Sequence, residues 1–100
     1  MLYYTQLIYV KPGAEEVFHA FEDAVLPLIQ THNGDLLYRI RPEQKSIIAG
    51  SGEQPYEVHI VTFPALADFE NYKNDPQRLA FMHLKNQSVE RIVLIEGKAL

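Results

Sequence analysis

The order of its periodicities constrains this chain most: a strand-like run, a helical stretch, two more strand-like runs, a second helical stretch and a last strand-like run. Leu2 to Val10 is rich in aromatic and β-branched residues, which suit a half-buried pleated surface. Lys11-Pro12-Gly13 breaks that strand. Pro12 is pre-set for a helix start, and Glu15 and Glu16 complement the positive end of the helix dipole. Val17, Phe21, Ala24 and Leu28 follow at helical spacing, with Phe18 and Val25 widening the apolar stripe. Pro27 lies inside this helix and should kink it, because it lacks an N–H and its ring displaces the carbonyl four residues earlier. Thr31-His32-Asn33-Gly34 ends the helix, with Gly34 expected as the left-handed cap.

Asp35 to Arg41 predicts the second strand, and Tyr56 to Phe63 the third. Between them Pro42 to Pro55 is a long loop that carries Ile47 and Ile48; it is read either as wrapping a partner or covering a cleft, or as plainly disordered. Pro64 opens the second helical stretch, with Leu66, Phe69 and Tyr72 on one face. Asp75 and Pro76 restart it, and Leu79, Met82 and His83 follow. Arg91 to Glu96 is the last strand, closed by Gly97. No repeat or linker interrupts residues 1–100, so one domain is expected. Its class is α+β: a ferredoxin-like βαββαβ sandwich, a four-stranded antiparallel sheet with the helices on one face.

Composition narrows the function classes. The chain has 100 residues, no cysteine and a net charge of -4. The lack of cysteine removes thiol catalysis, disulfide frameworks, thiolate zinc sites and iron–sulfur clusters. Nine basic residues scattered along an acidic chain argue against nucleic acid or an anionic membrane as partner. No apolar run approaches the roughly 18 residues of a membrane span, and no secretory signal is read. The expected location is the cytoplasm.

Strand parity suggests where a ligand would bind. The cleaner apolar sets (Leu36, Tyr38 and Ile40; Tyr56, Val58, Ile60 and Thr62; Ile92 and Leu94) are assigned to the helix side. The open face then carries Leu37, Val61, Phe63, Val93 and Ile95 together with Arg39, Arg41, Glu57 and His59. On the first strand Ile8 and Val10 are expected to face the helices, leaving Tyr3, Thr5, Leu7 and Tyr9 on the open face; the reverse orientation would bring Tyr4 and Gln6 there. A monomer rarely exposes so contiguous an apolar face, so a homodimer in which two sheets cover each other is expected.

His59 is the candidate catalytic residue, a general base or hydrogen-bonding group in mid-strand. Arg39, Arg41, Glu57 and Tyr9 are the candidate ligand-binding residues, the arginines being suited to clamping a carboxylate or enolate. The competing interpretation is a polar cluster that only fixes the dimer interface. His19 stands between Glu15 and Asp23 at i, i+4 spacing and is expected to pair on the surface; His32 belongs to a helix C-terminus. No two histidines sit at HxH or HxxxH spacing, so neither a metal nor any other cofactor is expected.

Val10-Lys11-Pro12-Gly13 followed by Glu15-Glu16-Val17-Phe18 resembles the dimeric α/β-barrel superfamily, which includes the antibiotic-biosynthesis monooxygenases. Phe63-Pro64, then Tyr72 and Asp75-Pro76, is similar to one of its domain-of-unknown-function families. The resemblance covers nearly the whole chain. It implies a barrel made from two sheets, with ligands either inside that barrel or between sheet and helices. The chemistries it implies include cofactor-independent oxygenation and isomerisation. The expected function is therefore binding of a small anionic or aromatic molecule in a cleft of the sheet, with oxygenation or proton transfer as the associated chemistry. The alternative is a non-catalytic dimeric binding or structural protein.

Overall fold

The computed structural model describes residues 1–100. The chain runs β1 (Leu2–Val10), α1 (Glu15–Val25), α2 (Leu28–Thr31), β2 (Asp35–Ile40), a 3-10 turn (Gln44–Ser46), β3 (Glu57–Phe63), α3 (Leu66–Lys73), α4 (Pro76–Leu79), α5 (Met82–Ser88) and β4 (Val89–Lys98). The four strands form one antiparallel sheet in the order β2-β3-β1-β4, with the helices on one side. This is the ferredoxin-like α+β sandwich expected from the order of elements. No helix is long and apolar enough to cross a membrane.

Proline and short polar side chains set the helix boundaries. Pro27 divides the first helical stretch into α1 and α2 rather than merely bending it. The second stretch splits into three helices. Asp75 starts the middle one by accepting a 2.8 Å hydrogen bond from the Gln77 N–H, and Pro76 follows in its first turn. At the end of α2 the left-handed residue is Asn33, φ 66°, and not Gly34. Gly34 is required for a different reason. A Cβ there would lie 2.5 Å from the Phe63 ring and 2.7 Å from Ile29 Cγ2, so only hydrogen fits where α2 crosses β3. β4 also continues through Gly97, which pairs with Tyr3, instead of stopping before it.

The face assignment of β2 and β3 needs correction. Tyr4 of β1 is buried against the helices and stacks on Phe69 with ring centroids 4.0 Å apart. Directly paired residues of antiparallel strands share a face, and the pairs are Tyr4 with Val61, Gln6 with His59 and Ile8 with Glu57. Glu57, His59, Val61 and Phe63 therefore face the helices, where Val61 and Phe63 join Tyr4, Ile29, Phe69 and Tyr72 in the core. On β2, Leu36 pairs with Val61 and Tyr38 with Ile60, so Leu37 is an extra, bulged residue. The bulge breaks the alternation: Leu36 packs on the core, and Arg39, opposite His59, turns to the helix side with Arg41.

The outer face is more uniformly apolar than expected. Thr5 stands between Ile60 and Ile95, and Leu7 between Val58 and Val93; Tyr38 and Ile40 extend the surface to the β2 edge. Tyr38, Ile40 and Ile95 are about half exposed. The rule that the cleaner apolar set lies inward fails because both faces are apolar. The ionic groups that β2 and β3 bring to the helix side, Arg39, Arg41 and Glu57, pair with one another. The assignments for Ile8, Ile92 and Leu94 to the helix side, and for Tyr3, Thr5, Leu7, Val93 and Ile95 to the outer face, agree with the register.

Candidate functional site

His59 sits at the centre of β3, 2% exposed, between two buried carboxylates. Glu57 lies two residues earlier on the same face, and its Oε1 is 2.5 Å from His59 Nε2. Glu22 comes from α1, with its Oε2 3.8 Å from His59 Nδ1. The two acids differ in what surrounds them.

Glu57 is fully buried yet saturated with donors. Arg39 donates from Nε to Oε1 at 2.6 Å, and Arg41 donates from Nε to Oε2 at 2.7 Å. Burial alone would raise its pKa; the bonds from His59, Arg39 and Arg41 overcome that and hold it at about 2. An ionised carboxylate only accepts, so the proton of this contact resides on His59 Nε2. Glu57 thus fixes the imidazole tautomer, leaving Nδ1 as the atom turned toward Glu22.

Glu22 has no such support. Burial pushes its carboxyl up to about 7; the charges of Arg39, Arg78 and, whenever it carries a second proton, His59 oppose this rise, and that of Glu57 adds to it. A carboxyl that gains and loses a proton near neutrality, beside a histidine held in one tautomer, has the attributes of an acid–base pair.

Both groups open onto a cavity of about 190 Å³ between sheet and helices. Phe18, Phe21, Val25, Val61 and Phe63 supply much of its apolar wall, and Gln6, Glu22 and His59 its polar patch. Arg78 and Lys85 line it from α4 and α5. Arg39, Arg41 and Glu57 are not part of the wall; they lie behind His59. Tyr9 is elsewhere. Its hydroxyl donates to the Glu53 carbonyl at 3.0 Å, and the Arg91 guanidinium lies 3.7 Å above its ring while also bonding the Glu53 carboxylate. Tyr9 and Arg91 thereby pin the end of the 42–55 loop to the sheet, while Ile48 in that loop stays almost fully exposed.

Glu22, Glu57 and His59 bring one potential ligand atom each within 4.8 Å of the others. Both Glu57 oxygens already accept from guanidinium groups, and a dication here would stand beside two positive charges. The geometry describes an ion-pair network better than a metal centre. The remaining histidines have local partners: His19 Nε2 lies 2.5 Å from the Tyr56 hydroxyl and His32 Nε2 2.7 Å from Asp75 Oδ2. His83 is exposed.

Glu22, Arg78 and Lys85 were absent from the sequence-derived candidates. Glu22 did leave a signal: it stands four residues after Phe18 and three before Val25, a carboxylate inside the apolar stripe of α1. Arg78 and Lys85 left none, because the breaks between α3, α4 and α5 remove any continuous helical phase.

No family model matches the sequence, and no curated protein matches it either. Solved structures do match the fold. The RPA0582 protein of unknown function from Rhodopseudomonas palustris has a TM-score of 0.82 at 20% identity, over 99% of this chain and 82% of that one. An uncharacterised NIPSNAP domain protein from Burkholderia xenovorans has a TM-score of 0.75 at 18% identity, over 100% and 95% of the two chains. A protein from Bacteroides fragilis, described as dimeric, of unknown function and ferredoxin-like in fold, has a TM-score of 0.69 at 13% identity, over 98% and 95%. The chain is thus similar in fold to ferredoxin-like proteins of unknown function.

Proposed function

We propose that this protein is a homodimer that binds a small molecule between its sheet and helices and transfers a proton on it. The observation that carries this is the joint opening of His59 and Glu22 onto one apolar cavity. Glu57 orients His59, Nδ1 exchanges the proton with the bound molecule, and Glu22 supplies or takes it up. Arg39 and Arg41 act through Glu57, as parts of the lock that holds the imidazole. Of the chemistries expected from the sequence, proton transfer is the one these side chains serve directly, since it needs only a base, an acid and a pocket that brings the reacting molecule to both.

Hydrogen–deuterium exchange at an acidic C–H of single-ring ketones, followed by NMR, tests the chemistry. The wild type should accelerate exchange, and His59→Phe should slow it by about a hundredfold or more. An unaccelerated wild type, or a variant as fast as the wild type, removes the proposal.

The dimer rests on the outer face. A continuous surface runs from Tyr38 and Ile40 through Ile60 and Thr5 to Ile95, with Tyr38, Ile40 and Ile95 about half exposed, the kind of contiguous apolar face that marks an interaction surface. A second copy presents the same surface, so two sheets cover each other by a twofold operation. The dimeric Bacteroides fragilis protein of similar fold lends support. Light scattering should give twice the 11.5 kDa chain mass. Ile60→Lys should reduce it to the single chain; a wild type already at that mass overturns the dimer.

A further inference from the structure

We infer that the site selects a monocarboxylate carried on a single ring, its anionic end held by Arg78 and Lys85. This rests on the preceding assignment of the cavity as a binding site, and adds the class of ligand.

The cavity wall is electrically lopsided. Lys73 has a counter-ion, Glu70 at 3.6 Å. Arg78 and Lys85 have no direct ion pair; the carboxyl of Glu22, on the same cavity, acts on both only from beyond ion-pair distance. Arg78 lies over the Tyr72 ring at 5.0 Å and near the Phe21 ring at 5.9 Å, contacts that hold its plane without neutralising its charge. Its Nε is buried with no hydrogen-bond partner. Its Nη1 reaches only the Lys73 carbonyl at 3.4 Å and the Met82 sulfur at 3.6 Å, both at the long limit of such bonds. Burial and the neighbouring Arg78 charge pull the Lys85 ammonium below its usual range, with the Glu22 charge opposing them.

Two cations that line one cavity without a direct carboxylate partner are unfavourable in the empty protein, and an anion in that cavity supplies the missing counter-charge. The planar guanidinium of Arg78 and the ammonium of Lys85 line the same cavity and offer charged N–H donors to the two oxygens of a carboxylate. The volume sets the rest of the ligand. An apolar cavity of roughly 150 Å³ accepts benzene, so about 190 Å³ takes one ring and a short acidic arm. With the carboxylate on Arg78, the ring meets Phe18, Phe21 and Val25, on the same wall as Glu22 and His59.

The test compares four probes by calorimetry at neutral pH: phenylacetate, neutral phenylacetamide, cationic phenethylamine and toluene. Phenylacetate should bind at least about tenfold more tightly than the amide, the effect of one charge-assisted hydrogen bond. The Arg78→Gln/Lys85→Gln variant should lose that preference and keep the wild-type affinity for toluene, which also shows that it is folded. Lys85→Gln alone should lose part of it. If toluene binds but amide or amine equals the acid, the selectivity proposed here is wrong and the cavity assignment survives. If none of the four binds, both fall together.

Discussion

Two carboxylates flank one histidine, and their surroundings give them opposite roles. Glu57 is met by two guanidinium groups and the imidazole, which keep it ionised; Glu22 is met mainly by aromatic and aliphatic walls, which raise its pKa. Burial is common to both. The number of donors each receives decides whether a buried acid becomes a fixed structural anion or a group able to exchange protons.

The largest expected effect comes from removing the fixed anion. Glu57→Ala leaves Arg39 and Arg41 without their buried partner and frees the His59 tautomer; the expected loss is about 3–5 kcal/mol in urea unfolding. A loss below about 1 kcal/mol would mean that the network adds little to the connection between β2 and β3.

The next effect separates the two acids by pH. Folding raises Glu22 from an ordinary 4.5 to about 7, so the folded chain binds more protons in that interval and loses stability as pH rises through it, by roughly 3 kcal/mol in all. Glu57, lowered from 4.5 to about 2, stabilises fully above pH 4.5 and loses that contribution as pH falls toward 2. Stability should therefore peak near pH 4.5 to 5, measured as the urea midpoint against pH. Glu22→Gln should flatten only the alkaline limb; a variant that still loses the same stability between pH 5 and 8 would contradict the assignment.

The smallest effect grades the lock itself. The Arg39 side chain is 29% exposed and that of Arg41 49%. Arg41→Gln should cost about 1 kcal/mol or less, and Arg39→Gln more. Equal losses in thermal unfolding would show that exposure does not rank the two bonds.

Much of this was legible in the chain. The aromatic and β-branched runs gave four strands and Asp75-Pro76 gave a helix restart, whereas Pro27 was legible only as a kink and the orientation of β1 had two readings until the register fixed it. His59 and Glu57 stood out because polar residues alternate within an otherwise apolar strand. Their position on the correct face was not legible, because parity shows which residues share a face but not which side that face lies on. The Leu37 bulge shifted Arg39 and Arg41 relative to Leu36 without any glycine or proline to mark it.

The sequence by itself determined the order of elements and the presence of an ionic group on the third strand, since both follow from local periodicity. The tertiary structure alone decided which side of the sheet that group occupies. It also brought Glu22 to His59 from a helix far along the chain, and left Arg78 and Lys85 without a direct ion pair at the same cavity. Those outcomes depend on register, helix crossing and the sharing of a finite set of donors. None of these is a property of a single segment.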